Sequence, residues 1–580
     1  MFRKRSPQLG LFEADQLYLG FVGKDTFYGF LAQHRGELFH DEDFAECYSP
    51  DTGRPSVPPS LLATALVLQR HDNVSDEEAK ARADYDLRWK VALGVEVGDR
   101  PFAKSTLQLF RAQLVLKEKM RAIFEDSLAY ARQSGYLKKR KLRLALDTTY
   151  ILGRGAVEDT YNLLAEGMRQ LMRALAEAEG QGVAEWAQGR GLGRYLAPSI
   201  KGSADIDWGE KEARERFLHG IVKDAEEALE LAAEVQSRMA EQEQESERLE
   251  AAGTLLRQLI TQDVETCPGR STLKQGVARD RIVSVHDPEM RHGHKSKSNR
   301  FEGHKVAIAV DADSQLITAV EVLAGNAPDS EGALELTEAS EVSTELDVAE
   351  TIGDCAYGDG ATRQAYADAG RKLVAKVAPH GGGEQISKDQ FEIDLDQMSC
   401  TCPAGQTTRR LIRRGYWRDR DGKKHPRQAF HFDGTICAAC TLHAQCVKAK
   451  GDKGRTVGLH PQEGLLQEAR ALQNSPAFEE YTRKRQVAEH RLARLVQLGI
   501  RQARYFGHPK TLYQAMMTAT VANLTLVATK TGNMRSRSRR PLSFFASAET
   551  AIKSIWHRMA NRQLPTSQAS VRNAPFRLCL

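Results

Sequence analysis

A short apolar segment with a carboxylate inside it, RLALDTTYIL at residues 143–152, constrains the fold more than any other part of the sequence. Its apolar residues, followed by β-branched and aromatic ones, predict a buried strand. Asp147 would then lie in the interior, where a carboxylate is costly unless it is paired or bound to a metal ion. The segment therefore predicts a sheet built around a chemically active acid.

The elements that would complete this sheet follow after residue 300. HKVAIAVD and LITAVEVLAG, joined by the turn ADSQ, predict a β-hairpin, and Asp329 with Ser330 predicts the start of a helix through Ser340. A strand in DVAETIGDCAY, a helix in GATRQAYADAG and a strand in KLVAKVAP come next. This order predicts a mixed α/β sheet with helices on its faces. Asp354 stands at a strand end, where ligand sites in such sheets gather.

Residues 1 to about 130 carry helix signals instead. Pro58 and Pro59 stand at a helix start, and capping boxes begin at Ser75 and Ser105. Three short helices with tight breaks are typical of a helix-turn-helix module, but a plain helical bundle explains the pattern equally well.

Two further regions are predicted to be helical. Residues 156–266 are rich in Ala, Glu, Leu and Arg, and the stretch from Ile221 to Ile260 predicts a long helix or a helical hairpin. A last helical region runs from Leu465 to about Thr529.

Length and charge bound the class of protein. At 580 residues the chain should hold several domains. No apolar run reaches the roughly 18 residues of a membrane span, and the N-terminus lacks the apolar stretch of a signal peptide, so we expect no membrane partner and a cytoplasmic location. The net charge of +5 is a weak signal, but residues 531–580 hold nine Lys/Arg against one acid, Glu549, which favours a polyanion.

The cysteines cluster in one region. Five of the nine lie between residues 400 and 446, which is unlike a disulfide framework in a chain of this size. Buried thiols would explain the cluster, and so would a structural zinc site of four thiolates. Cys400 would be a spare thiol and His443 a substitute ligand. The zinc ligands would be Cys402, Cys437, Cys440 and Cys446.

Basic stretches supply candidates for contact with DNA. RRLIRRGYWRDRDGKKHPR combines positive charge with aromatic residues, which suits phosphate contact and base stacking, although an exposed basic hairpin is an equal reading. RHGHKSKSNRFEGHK is a second basic stretch, and two basic residues flank the start of the third N-terminal helix. The candidate residues are Trp417, Lys295, Lys297, Arg300, Lys104 and Arg111.

Three acidic segments resemble a known family. LALDTTYILG, IGDCAYGDG and YTRKRQVAEHRLARL follow one another in the order of the acidic motifs of DDE transposases. The chain is most similar to the eleven-eighty-two group of bacterial insertion sequences, over most of residues 30–530, including PSVPPSLLATALVLQ and DPEMRHGHKSKSNRFEGHKVAIAVD. The resemblance implies an RNase H-like core.

It also implies the site and its cofactors. Asp147, Asp354 and Glu489 would hold two Mg²⁺ or Mn²⁺ ions roughly 3.5–4 Å apart and catalyse in-line displacement at phosphorus. Tyr481 and Arg485 share one helical face with Glu489 and would contact phosphate. Three other acids, Asp159, Asp311 and Asp359, are better explained as turn or cap residues.

The expected function is transposition of an insertion sequence. The protein would bind double-stranded DNA at the element ends, cleave it, and join the 3′ hydroxyls to target DNA, as a homodimer on DNA. A nuclease that cuts without joining, and an inactive zinc-dependent DNA-binding protein, are the alternatives. The expected domains are a helical N-terminal DNA-binding domain (1–135), an α/β RNase H-like core (136–385) with a helical insertion (156–266), a basic zinc-bearing insertion (386–460), C-terminal catalytic helices (461–530) and a basic tail (531–580).

Overall fold

The computed structural model describes residues 1–6, 12–49, 52–238, 243–296, 298–379, 386–418, 423–448 and 453–532. The basic tail, except for its first two residues, lies outside the described residues. The helices are α1 (Ala14–Val22), α2 (Phe27–Leu38), α3 (Pro59–Asp72), α4 (Asp76–Tyr85), α5 (Leu87–Leu93), α6 (Lys104–Leu116), α7 (Met120–Gln133), α8 (Thr160–Ala178), α9 (Val183–Gly189), α10 (Ile200–Ser203), α11 (Lys211–Arg238), α12 (Glu243–Asp263), α13 (Ala333–Thr344), α14 (Gly360–Asp368), α15 (Gly434–Ala438), α16 (His443–Cys446), α17 (Glu463–Gln473), α18 (Phe478–Gln497) and α19 (His508–Lys530). The strands are β1 (Leu142–Leu152), β2 (Val264–Cys267), β3 (Arg270–Leu273), β4 (Arg291–His294), β5 (Arg300–Asp311), β6 (Ile317–Ala324), β7 (Val348–Ile352), β8 (Leu373–Val374), β9 (Glu392–Asp394), β10 (Ser399–Thr401), β11 (Thr407–Thr408), β12 (Leu411–Arg418), β13 (Lys424–His431) and β14 (Thr456–Leu459).

The central sheet is mixed, as the order of elements predicts. Its strands run β4–β5–β1–β7–β8, and β6 also pairs with β5. β1 is antiparallel to β5 and parallel to β7, and β7 is parallel to β8. This arrangement is consistent with an RNase H-like core, in which an antiparallel half and a parallel half meet at one central strand.

The N-terminal helices differ from the predicted pattern at two positions. Ser75 caps α4 as expected, since its hydroxyl accepts a hydrogen bond from the Glu78 amide at 3.1 Å. The sequence after Ser75 predicts one helix as far as about Leu93, but the structure divides it at Asp86, whose carboxylate caps α5. The capping box expected at Ser105 is wrong, because α6 begins one residue earlier and Ser105 lies inside its first turn.

The helices between β1 and β4 form a unit with a core of its own. α8, α11 and α12 pack on one another, and their apolar faces bury a cluster that is separate from the core of the sheet. The stretch predicted as a long helix or a hairpin is described as two helices, α11 and α12. Both strands that flank this unit, β1 and β5, belong to the central sheet.

The last helix joins the N-terminal helices to the sheet. α19 is buried along most of its length and packs against α3, α7 and β6. Its Asn523 side chain bonds both backbone groups of Ile317, accepting from the amide at 2.9 Å and donating to the carbonyl at 2.8 Å. Because α3 and α19 share one core, the N-terminal helices are not a free module.

Residues 386–459 form two small sheets before the last helices. One contains β9, β10 and β11, and the other contains β12, β13 and β14. A small core of Phe391, Phe430, Phe432 and neighbouring apolar residues lies between them. Cys400 belongs to this core, and Cys402, Cys437 and Cys446 pack against it.

Candidate active site

The two aspartates lie at equivalent points on neighbouring parallel strands. Ala145 of β1 is in register with Ile352 of β7, and each aspartate lies two residues further on. Neighbouring strands are about 4.8 Å apart, so this register brings Asp147 and Asp354 side by side at the carboxyl edge. The Asp354 carboxylate also accepts a hydrogen bond from the Ala356 amide at 2.8 Å, which fixes the turn that leaves the strand.

Glu489 approaches from a helix that packs on the sheet. α18 contacts β1, β5 and β7, and it buries Ala488, Leu492 and Leu495. Glu489 lies at the edge of this buried face, with half of its side chain exposed. Its carboxylate accepts a hydrogen bond from Arg485, one helical turn earlier.

The electrostatics of Asp147 show that these groups interact. The pKa of Asp147 is raised to about 6, mostly by burial and also by the charges of Asp354 and Glu489, against the opposing effects of the Thr148 amide and Arg485. The amide donates to Asp147 at 2.8 Å. Three carboxylates that repel one another in a partly buried site favour a bound cation.

The donor set therefore fits a divalent metal in its chemistry, since Mg²⁺ and Mn²⁺ prefer carboxylate oxygens. Within the described part of the chain, no three His, Cys, Asp or Glu side chains stand in a geometry that would hold an ion. For all three acids to bind one metal site, the Glu489 carboxylate would have to release Arg485 and bind the cation instead.

The residues predicted beside Glu489 divide between two places. Arg485 lies at the site, where it pairs with Glu489 and acts on the Asp147 charge. Tyr481 lies two helical turns before Glu489, and its hydroxyl donates to the Glu350 carboxylate at 3.2 Å. Lys372 donates to the same hydroxyl at 3.1 Å. Tyr481 is thus held by the beginning of β7, away from the aspartates.

The two N-terminal candidates for DNA contact have different surroundings. Lys104 is exposed and pairs with the exposed Glu77 at 2.6 Å. Arg111 is only 9% exposed and binds the Asp76 carboxylate at 2.6 Å. In this structure the guanidinium of Arg111 is an internal partner of Asp76, so little of it is open to DNA.

The basic stretch at residues 291–305 forms the hairpin of β4 and β5. Lys295 and Arg300 are exposed there, and Lys297 lies outside the described residues. His304 is buried, with its Nε2 3.3 Å from the Asp287 carboxylate. His304 is therefore internal, while Lys295 and Arg300, at the end of the hairpin, are accessible to a phosphate.

The four cysteines proposed as zinc ligands line one small pocket, together with His443. Backbone amides point at two of the sulfurs, Leu442 N at 3.4 Å from Cys440 Sγ and Arg455 N at 3.5 Å from Cys437 Sγ. Burial raises the pKa of Cys446, and the other three cysteines raise it further. None of the eight cysteines among the described residues forms a disulfide.

The basic insertion has an aromatic pair on its hairpin. Trp417 of β12 stacks on His425 of β13, with ring centres 4.7 Å apart and planes at 25°. The pair lines a cleft of about 1280 Å³ that is also lined by Asp359 and Gly360, at the beginning of α14. The stacking candidate therefore shares a cleft with residues that lie soon after Asp354 in the chain.

The competing acids have structural roles. Asp359 caps α14 by accepting from the Ala361 and Thr362 amides, both at 3.0 Å. Asp311 is buried in the β5–β6 turn and binds Arg140 at 2.6 Å. Asp159 caps α8.

One buried residue beside the site has no signal in the sequence. Tyr357 ends the short 3-10 turn that begins at Cys355, and its side chain is buried next to the two aspartates. Its place three residues after Asp354 could have drawn attention to it, but nothing in the residue pattern predicts its burial.

Comparison with known families gives two matches. Residues 401–528 match a family described as a transposase DDE domain, and residues 18–113 match one described as a transposase domain (DUF772). No curated protein sequence shows a significant match. Among the described residues, no helix combines the length and apolar character needed to cross a membrane.

Proposed function

We propose that this chain is a DDE-type insertion-sequence transposase that cleaves DNA at the ends of its element and joins the freed 3′ hydroxyls to target DNA. The two matched transposase domains support this proposal. The eleven-eighty-two group remains the proposed subgroup. Double-stranded DNA is the proposed substrate, and a homodimer would hold two ends together.

The observation that carries this proposal is that three acids from three separate elements act on one another through their charges. Asp147 and Asp354 follow paired positions of β1 and β7, and the charge of Glu489 reaches Asp147 from α18. Carboxylates that act on one another in this way repel, which destabilises the folded state unless a cation binds between them. A purely structural role therefore does not explain why the three acids are placed together.

Each residue would have a distinct task. Asp147, within β1, and Asp354, two residues after β7, would hold the divalent ions, and Glu489 would complete the set from α18. Two bound divalent ions activate the attacking oxygen and stabilise the leaving oxygen. Arg485, once released from Glu489, is placed to bind a phosphate oxygen of the substrate.

The test is a reaction of the full chain with DNA that carries both element ends, in Mg²⁺. Cleavage at the ends and covalent joining to a target plasmid are expected, and Asn at Asp147 or Asp354, or Gln at Glu489, should abolish both. Cleavage without joined products would instead support the nuclease alternative. Wild-type cleavage by the Asp147→Asn variant would contradict the whole assignment.

We also propose that the cysteine pocket is a structural zinc site. The support is that Cys402, Cys437, Cys440 and Cys446 line one pocket and that backbone amides approach two of the sulfurs. Amide donors of this kind stabilise thiolates as metal ligands. The site would hold the two small sheets of the insertion together.

DNA contacts are proposed for the open basic positions. Lys104, Lys295, Arg300 and Trp417 lie on exposed or half-exposed surfaces, on three different parts of the chain. Lys297 belongs to the same stretch as Lys295. The cleft between the Trp417 hairpin and the beginning of α14 would lead a strand towards Asp354.

A further inference from the structure

Tyr357 places a phenol hydroxyl in the interior next to the acids of the site. Its side chain is 2% exposed, and the hydroxyl has no hydrogen-bond partner among the described residues. A buried hydroxyl without a partner costs free energy, and folded proteins seldom leave one in that state. We therefore expect the Tyr357 hydroxyl to form a hydrogen bond in a state of the protein other than the metal-free one.

The ring is held in place by the turn that carries Asp354. The Asp354 carboxylate caps this turn, and the Tyr357 amide donates to the Asp354 carbonyl at 3.3 Å. The ring also lies against Gly353, where an added Cβ would be only 2.6 Å from Tyr357 Cβ. The distance between the phenol and the Asp354 strand end is thus fixed by the backbone.

The charges of three carboxylates, those of Asp147, Asp329 and Asp354, act on the buried phenol. A phenol hydroxyl is protonated at neutral pH, so it can only donate to an ionised carboxylate. Among the described residues Asp329 forms an ion pair, with Lys305 at 2.8 Å, whereas Asp147 and Asp354 form none, which leaves these two as acceptors.

We propose that Tyr357 is a positioning residue that donates a hydrogen bond to the Asp147–Asp354 carboxylate pair when that pair binds divalent cations. This inference rests on the proposed function. Hydrogen bonds from outside the ligand set orient metal-binding carboxylates, and their loss typically weakens metal affinity about 10–100-fold.

The experiment measures Mn²⁺ binding to the full-length protein by the electron paramagnetic resonance signal of the free ion. The Tyr357→Phe variant removes only the hydroxyl, so Mn²⁺ affinity should fall about tenfold or more. The melting temperature without metal should stay the same or rise, since an unpaired buried hydroxyl is removed.

Tyr366→Phe is the matched control. Tyr366 is equally buried, but its hydroxyl donates to the Ala333 carbonyl at 2.8 Å and lies 2.7 Å from Thr337 Oγ1. Its loss should lower the melting temperature and leave Mn²⁺ affinity unchanged, which is the reverse of the result expected for Tyr357.

The outcomes separate the two proposals. Wild-type Mn²⁺ affinity in Tyr357→Phe overturns the role of the hydroxyl and leaves the proposed function standing. A lower melting temperature with lost affinity also overturns it, because the hydroxyl would then support the fold. No saturable Mn²⁺ binding in the wild type, or unchanged binding in Asp147→Asn, overturns both.

Discussion

Arg70 of α3 donates a hydrogen bond to the carbonyl of Leu498, the residue that follows α18. Gly499 makes this approach possible, because it has a φ of +85° and a Cβ there would lie 2.9 Å from Arg70 Nη2. The N-terminal helices thereby hold the end of the helix that carries Glu489. The position of the third acid depends on contacts made more than 400 residues earlier in the chain.

Replacing Arg70 with Ala should therefore destabilise the protein. The change leaves a carbonyl without its partner and removes packing around a guanidinium that is only 4% exposed, so a loss of about 2–3 kcal/mol is expected in urea unfolding. Arg54→Ala, at an exposed position, is the control and should change stability by less than about 0.5 kcal/mol. Equal stability of the two variants would show that the Arg70 contact contributes nothing.

The raised pKa of Asp147 predicts how stability depends on pH without metal. Its folded pKa of about 6 exceeds the unfolded value of about 3.9, so the folded state binds the proton more tightly. Stability is therefore lost as the pH rises from about 4 to about 6, and Asp147→Asn should remove that loss. In chelator at pH 7.5 the variant should be more stable than the wild type by about 2 kcal/mol.

The control for that measurement is Asp359→Asn, since Asn also caps a helix and Asp359 is outside the proposed metal site. Its stability should follow the wild-type pH profile. If Asp147→Asn follows the same profile, the Asp147 carboxylate is not destabilised in the folded protein.

Zinc content is open to direct measurement. Protein purified without chelators should contain about one zinc per chain by elemental analysis, and the double variant Cys437→Ser, Cys440→Ser should contain none. Proteolysis of that variant should begin within residues 386–459, because those small sheets would lose their cross-link. Cys267→Ser, at an exposed cysteine outside the pocket, should keep its zinc. Native protein free of zinc would refute the site.

Lys104 and Arg111 should give opposite results although both are basic residues of α6. Lys104→Ala should weaken binding to element ends and reduce the slope of log affinity against log salt by about 1, with stability unchanged. Arg111→Ala should cost about 3–5 kcal/mol of stability, because it leaves Asp76 charged and partly buried. Filter binding across a salt series measures the effect on DNA binding, and urea unfolding measures the effect on stability. If the Arg111→Ala variant is as stable as the wild type and its salt slope is reduced, Arg111 contacts DNA and is not an internal partner of Asp76.

The sequence predicts the parts of the site that depend on local pattern. Asp147 stands out because it lies within a short apolar strand, and Asp354 because it directly follows one; neighbouring parallel strands can bring such residues side by side. Glu489 has no such signal, since a Glu with Arg four residues before it is common on exposed helices. Only the family resemblance selects it.

Long-range contacts explain what the pattern could not predict. The sequence predicts an exposed Arg111, but in the structure its guanidinium binds the carboxylate of Asp76, at the beginning of α4. The helix expected from Asp329 begins at Ala333 instead, after Gly332 in a left-handed conformation. KLVAKVAP forms only the two-residue strand β8, because the chain leaves the sheet after Val374. The partner of Arg111 lies 35 residues away in the sequence, out of reach of a local pattern.

The helical insertion leaves and rejoins the sheet at one place, because Leu152 at the end of β1 is paired with Gly303 in β5. A turn of a few residues could close that pair directly. The part of the intervening segment that has its own hydrophobic core, from α8 to α12, could therefore be exchanged, enlarged or lost without moving Asp147. Relatives of this chain could diversify there while keeping the same sheet.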